Sequence, residues 1–237
     1  MLTFSFATTI VAFVVSVYGN DCKEYNLTPS DQSLIDMMKH YLHTSRKADT
    51  VAQSNQDIGV TYVRWGKKTC PKGAGLVYTG QAGGNFYTNK GGGSNYLCLP
   101  SDPENGKVTS NDNDGLYGAE YDTWSTNKPS GFRSKMLQKE APCAVCRRTG
   151  KVSVLMIPGR KTCYKGWKSE YHGFLMSQHK RYNQMDFICM DAEAEPLDNQ
   201  SANNNGALFY PIKAKCGSLR CPPYKDNTEV LCAVCSK

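Results

Sequence analysis

Apolar residues in this chain follow two rhythms. Ile10 to Val17 is a short apolar run inside a stretch of twenty residues that carries no charged side chain. It is too short to span a bilayer, and Val17-Tyr18-Gly19 places compact residues where a signal peptidase reads. Residues 1–19 are therefore expected to be a secretory signal peptide, although no Lys or Arg precedes the run. Leu34, Met37, Met38, Tyr41 and Leu42 then recur at helical spacing. Thr28 is placed to cap that helix, with Pro29 at the first helical position and Asp31 at the third. The stripe covers barely two heptads, too few for an independent coiled coil. It either packs on the rest of the chain or joins copies of it. Ala48 to Gln56 is polar and reads as a linker, so residues 20–59 form an N-terminal segment with a short helix.

Beyond residue 60 the rhythm is that of strands and turns. Gly73 to Cys98 holds eight glycines, with Tyr78, Phe86, Tyr87 and Tyr96 among them. Aromatic residues favour strands and glycines allow tight turns, which predicts β-hairpins. Val152, Val154, Leu155, Met156 and Ile157 make a strand-like run that ends at Pro158, and Trp167, Tyr171, Phe174 and Phe187 are expected core aromatics. Asn111-Asp112-Asn113-Asp114-Gly115 is a turn cluster. It is not an EF-hand loop, because counting from the glycine puts Ser110 at position one and Tyr121 at position twelve. The pattern predicts a mostly β fold.

The cysteines occur twice over. Thr69-Cys70-Pro71-Lys72-Gly73 matches Thr162-Cys163-Tyr164-Lys165-Gly166, Leu97-Cys98-Leu99 matches Ile188-Cys189-Met190, and Cys143-Ala144-Val145-Cys146 recurs as Cys232-Ala233-Val234-Cys235. The offsets are 93 (Cys70 to Cys163), 91 (Cys98 to Cys189), 89 (Cys143 to Cys232) and 89 (Cys146 to Cys235). A near-constant offset marks one supersecondary unit duplicated in tandem. It divides the chain into repeat one, residues 60–149, and repeat two, residues 150–237. Eleven cysteines in a secreted chain read as a disulfide framework. Cys216 and Cys221 have no counterparts in repeat one and are close enough to bridge locally. Cys22 is left over, and spacing alone does not choose among the connectivities.

Net charge is +7, from 28 Lys and Arg against 21 Asp and Glu. Basic residues cluster at Arg64, Lys67, Lys68 and Lys72, at Arg147, Arg148 and Lys151, and at Arg160, Lys161, Lys165 and Lys168. They read either as a solvated surface or as an attraction for acidic polysaccharide or mineral. No nucleic-acid motif is present. Asn26-Leu27-Thr28 and Asn199-Gln200-Ser201 are glycosylation sequons, and would put Asn26 and Asn199 on the surface. The Cys-Ala-Val-Cys pairs lie too far apart for a zinc ribbon and lack a thioredoxin-like context. His40 and His43 share a helical face, and an exposed pair of this kind is usually inert. Glu193 and Glu195 fall in what reads as an exposed loop. With no Gly-x-Ser-x-Gly or His-Glu-x-x-His motif either, no enzyme activity, metal or cofactor is expected.

Cys143-Ala144-Val145-Cys146, the strand-like link, Ile157-Pro158, Cys163, Gly166-Trp167-x-Ser169, Gly173 and Met176 resemble the middle of the C-terminal non-collagenous domain of type IV collagen. Cys70-Pro71-x-Gly73 and Val77-Tyr78-x-Gly80 resemble its start. Gly91-Gly92-Gly93-Ser94-Asn95-Tyr96-Leu97-Cys98-Leu99-Pro100 and Gly217-Ser218-Leu219-Arg220-Cys221-Pro222-Pro223-Tyr224 are similar to the invertebrate short-chain, spongin-type collagens. The resemblance implies two tandem, disulfide-stabilised, β-rich subdomains. It also implies the pairs Cys70–Cys146, Cys163–Cys235, Cys98–Cys143, Cys189–Cys232 and Cys216–Cys221. Bridges closing loops of about 75 residues contribute roughly 4 kcal/mol each in the chain-entropy model. The chain departs from the family in having no Gly-X-Y run, hence no triple helix. A short helix and Cys22 stand where a collagenous stalk would be, and no match for the family's lysine–methionine cross-link is evident.

Two functions are expected from these observations. The first is a secreted extracellular-matrix protein that self-associates, or joins other matrix proteins, through exposed hairpin edges and aromatic loops. Cys22 would then tie chains together, and no insertion into a membrane is expected. The second is a secreted, lectin-like carbohydrate-binding protein of innate defence. In that reading Tyr78, Tyr87, Tyr96, Trp124 and Trp167 stack on sugars, where otherwise they are core aromatics.

Overall fold

The computed structural model describes residues 29, 31–42, 58–108, 115–198 and 203–237. The chain divides into two compact units, Met1–Ala52 and Gln53–Lys237. The first contributes helix α1, residues 31–42. Its apolar stripe is exposed, with Met37 at 62% and Tyr41 at 71%. Gln32 donates to Asp36 at 3.2 Å and Lys39 lies 3.8 Å from Asp36, both on the surface where such pairs contribute little. The signal peptide, Cys22, Asn26, the Thr28 cap, the linker, the turn cluster at Asn111 to Asp114, and Asn199 all lie outside the described residues.

The second unit contains ten strands: β1 (Gly59–Trp65), β2 (Gly75–Gly84), β3 (Leu97–Pro100), β4 (Tyr117–Tyr121), β5 (Pro142–Thr149), β6 (Val154–Pro158), β7 (Lys168–Ser177), β8 (Ile188–Asp191), β9 (Ala207–Pro211) and β10 (Leu231–Ser236). They form one sheet in the order β6-β10-β7-β8-β1-β5-β2-β4-β9. A further β7–β9 pairing joins the end of that row back to its interior. Seven strands thus make a closed circuit: β7, β8, β1, β5, β2, β4 and β9. Closure removes their edges. β10 and β6 extend from β7, and β3 pairs with β2.

Pairing in the first five strands recurs in the last five. β1 and β2 flank β5 as β6 and β7 flank β10. β2 also pairs with β3 and β4 as β7 pairs with β8 and β9. Registers correspond too. Gly80 opposes Cys143 as Gly173 opposes Cys232, and the ladder slips between Leu76 and Tyr78 as it does opposite Val234 and Cys235. A bulge at matching positions re-aims the strand in both halves. The halves do not form separate sheets. β1 runs parallel to β8, and β4 runs parallel to β9.

All seven circuit strands send side chains into the main core. It includes Trp65, Ala82, Tyr121, Cys143, Met176, Met190 and Phe209. Alternation along each strand explains this, since every second residue faces inward. Tyr171 and Phe174 are buried as expected, whereas Phe187 is 59% exposed and does not join the core. It directly precedes β8, where Ile188 turns inward instead. Trp167 only borders a small cluster of Ile157, Ala233 and Cys235. Disulfides join Cys70 to Cys146, Cys98 to Cys143, Cys163 to Cys235, Cys189 to Cys232 and Cys216 to Cys221, the pairs that the resemblance implies. The first four tie each five-strand set across its closing strand, whose cysteines are fully buried.

Candidate functional site

Where repeat one meets repeat two, β1 lies against β8, with Trp65 opposite Met190. The Tyr171 hydroxyl bridges this seam. It lies 2.9 Å from the Val63 carbonyl on β1 and 3.1 Å from the Cys189 carbonyl on β8. Burial holds its phenol well above the usual range, so it remains a donor. The Tyr171 ring stacks on Tyr62 at 6.4 Å between centroids. Arg64 on β1 donates to Asp191 on β8 at 2.8 Å.

A buried polar group backs the seam. Glu170 accepts from Arg148 Nε at 2.9 Å, from the Tyr62 hydroxyl at 2.7 Å and from the Ser236 hydroxyl at 2.6 Å. Burial alone would raise the Glu170 carboxyl, but the hydrogen bonds from Arg148, Ser236 and Tyr62 outweigh it and hold the group below the usual range. Arg148 is pushed up, chiefly by its hydrogen bond to Glu170.

The duplication contains a second, open version of the seam. At an offset of 93, Val63 corresponds to Met156, Tyr62 to Leu155, Glu170 to Val77 and Tyr171 to Tyr78. Strand β1 corresponds to β6 and strand β8 to β3. Among the described strands only β3 and β6 have a single neighbour, β2 and β10 respectively. The Tyr78 hydroxyl donates to the Cys98 carbonyl at 2.9 Å, as Tyr171 does to Cys189. Its counterpart of the Val63 carbonyl would be that of Met156. The surroundings are apolar and exposed: Val77 54%, Leu97 47% and Leu155 37%. Exposed apolar side chains beside an unpaired strand edge are what a pairing surface presents.

The five rings expected to stack on sugars are not brought together. Tyr96 is 4% exposed, packs on Trp65 and Phe209, and donates to the Leu208 carbonyl at 2.7 Å, so it belongs to the core. Tyr78 holds the seam just described. Trp167 is half-buried, Trp124 is exposed, and Tyr87 packs edge-on against Tyr182. None of the five is in ring contact with another of the five. Glu195, expected in an exposed loop, is half-buried and accepts from the Lys68 backbone N–H at 2.9 Å. Glu193 is exposed.

Sequence reasoning passed over Val63, read Met156 only as part of a strand-like run, took Tyr171 as core, and left Tyr78 as either a sugar contact or a core aromatic. The signal was present: Tyr-x-Gly occurs at Tyr78 and again at Tyr171. His40 lies on α1 and His43 outside the described residues. Among the described residues no group of three or more His, Cys, Asp or Glu is placed to hold a metal, and no helix is long and apolar enough to cross a membrane. No family model matches the chain.

Proposed function

We propose that this is a secreted extracellular-matrix protein whose function is assembly, with the duplicated unit acting as a non-collagenous module of the collagen type. The observation that supports it is the pair of open strand edges. Within one chain, β1 of the first repeat docks on β8 of the second. The equivalent edge β6 and its equivalent acceptor β3 are left unpaired. β6 of one copy pairs with β3 of the next, Tyr78 bridges Cys98 of its own chain and Met156 of the neighbour, and Leu155 covers Val77 and Tyr78. Such a contact joins two different surfaces. It is therefore heterologous and closes into a ring when the rotation between copies permits. Five disulfides suit an oxidising, extracellular setting.

Sedimentation of the secreted chain at micromolar concentration tests the proposal. In the closed seam the Val63 carbonyl faces β8, and by the shared register the Met156 N–H and C=O face outward. Met156→Pro removes that outward donor without touching the β10 ladder, and proline on an edge blocks pairing. Met156→Pro and Tyr78→Phe are each expected to weaken association tenfold or more. Tyr78→Phe should leave the melting temperature nearly unchanged, whereas Met156→Pro also gives up the packing of a half-buried side chain on the core and should lower it by a few degrees. A wild-type chain that stays monomeric up to about 100 μM, far above ordinary assembly affinities, would sink the reading. A covalent component through Cys22 is expected to appear as a disulfide-linked species on non-reducing gels. Cys22→Ser should remove it, and finding that species unchanged in the variant would exclude Cys22.

A further inference from the structure

The assembly surface leaves one basic cluster without a role. Arg160, Lys161, Lys165 and Lys168 lie on the connection between β6 and β7, or at the first residue of β7. Three of the four are duplicated, since Lys67, Lys68 and Lys72 stand at an offset of 93 from Arg160, Lys161 and Lys165.

The two turns differ in what neutralises them. In repeat one the Glu195 carboxylate lies 3.5 Å from Lys67 Nζ and accepts from the Lys68 N–H at 2.9 Å. Burial would raise that carboxyl, but Lys68 and Lys67 outweigh it and hold it below the usual range. In repeat two no carboxylate plays this part within one chain: the counterpart of Glu195 at the β3-to-β8 offset of 91 is Glu104, which follows β3 and forms no ion pair with the turn. From Ala141 to Ser169 the chain contains no Asp or Glu, and the next carboxylate, Glu170, is buried on Arg148. Among the described residues none of Arg160, Lys161, Lys165 and Lys168 forms an ion pair.

The turn of repeat two is also held in place. Cys163 ties it to Cys235 in β10. The Arg160 guanidinium sits 4.4 Å from the centroid of the Tyr164 ring, while its Nε donates to the Thr162 carbonyl at 3.1 Å. Tyr164 is 57% exposed. At Gly159 the turn opens on a cleft of about 230 Å³ whose wall includes Tyr224 and Lys225. The one carboxylate in that wall, Glu229, accepts from the Ser130 N–H at 2.7 Å.

We propose that residues 159–168 bind an anionic polysaccharide, with Arg160, Lys161, Lys165 and Lys168 meeting its sulfate or carboxylate groups and Tyr164 offering a ring to a sugar face. Arg160, held against Tyr164 and Thr162, loses less side-chain freedom on binding than a free cation, so more of its attraction appears as affinity. An aromatic ring beside the cations favours a sugar chain over a bare polyanion. A single chain offers this site, whereas pairing of β6 with β3 of another copy would bring the acidic loop after that β3, with its Asp102 and Glu104, to the same turn, so binding and assembly are expected to compete.

Calorimetric titration of the full secreted chain with a heparin oligosaccharide tests this, with the same titration on Met156→Pro separating it from association. Replacing Arg160, Lys161 and Lys165 together by Gln is expected to lower affinity at least tenfold. The slope of log K against log salt should fall by about 2–3, since each lost ionic contact removes roughly 0.7–0.9. Replacing the exposed cations Lys90, Lys107 and Arg133 by Gln removes the same charge elsewhere and is expected to cost less than threefold. If the turn triple lowers the melting temperature, Lys161→Gln with Lys165→Gln is the comparison to use. Hyaluronan in place of heparin distinguishes carboxylate from sulfate recognition. Equal losses in the two triples, no saturable binding, or equal displacement by single-stranded DNA of matched charge would each overturn the proposal.

Discussion

Gly173→Ala is expected to abolish the yield of folded protein, while the matching change Gly80→Ala should only lower it. Both glycines sit where two strands approach most closely. A Cβ at Gly173 would lie 1.7 Å from the Met190 carbonyl oxygen on β8 and 2.8 Å from the Ala192 nitrogen. A Cβ at Gly80 would lie 1.7 Å from the Leu99 carbonyl oxygen on β3. Backbone cannot yield as a side-chain tip can, so the neighbouring strand must move. β8 is held on its far side by β1, through Tyr171 and the Arg64–Asp191 pair. β3 has no strand on its far side and can retreat. Gly173→Ala should therefore exceed about 4 kcal/mol, a large part of the stability of a domain. Gly80→Ala should cost about 1–3 kcal/mol, as overpacking commonly does. Folded yield on expression and denaturant unfolding of the two variants decide the matter. Equal costs would mean that β8 is no better anchored than β3.

Glu170→Gln should be the most damaging exchange of a polar side chain. It leaves the Arg148 guanidinium buried, at 5% side-chain exposure, without its counter-charge. Breaking a buried pair from one side costs about 3–5 kcal/mol, or roughly 6–20 °C in melting temperature for a domain of this size. Arg148→Met combined with Glu170→Met should recover much of that loss, because no charge then stays buried.

The pH dependence has a definite sign. The folded carboxyl of Glu170 is held below its usual range, so its contribution is complete above the unfolded value of about 4.3. That contribution is lost as pH falls through the folded value. Glu195 contributes in the same direction, so the readout is the difference between wild type and Glu170→Gln. The destabilising effect of the variant should shrink progressively as pH falls below the unfolded value of about 4.3. A difference that stays constant with pH would show that the Glu170 charge is unimportant and only its shape matters.

Much of this molecule was legible in its residues because the relevant forces are local or periodic. Alternating apolar positions and glycine turns set a mostly β chain. The cysteine offsets mark the duplication, and the matched Tyr-x-Gly segments mark the positions that later prove to be the seam. Which strands become neighbours is a different matter. β1 docks on β8 and β4 on β9 across more than eighty residues of chain, and no local preference chooses between that arrangement and two separate sheets. The same holds for the rings. Tyr96 and Tyr78 look alike in the sequence, yet one is sealed by Trp65 and Phe209 from distant strands while the other borders an unpaired edge. Phe187 is exposed because it lies just before β8, whose four residues are all buried, and where that strand begins is settled by its pairing with β7 and not by local sequence. The sequence by itself determined the repeated unit, its mostly β character and the matched positions of its cysteines. Only the tertiary structure decided that one copy of the seam is closed and the other open, because the strand partners that satisfy an edge come from elsewhere in the chain.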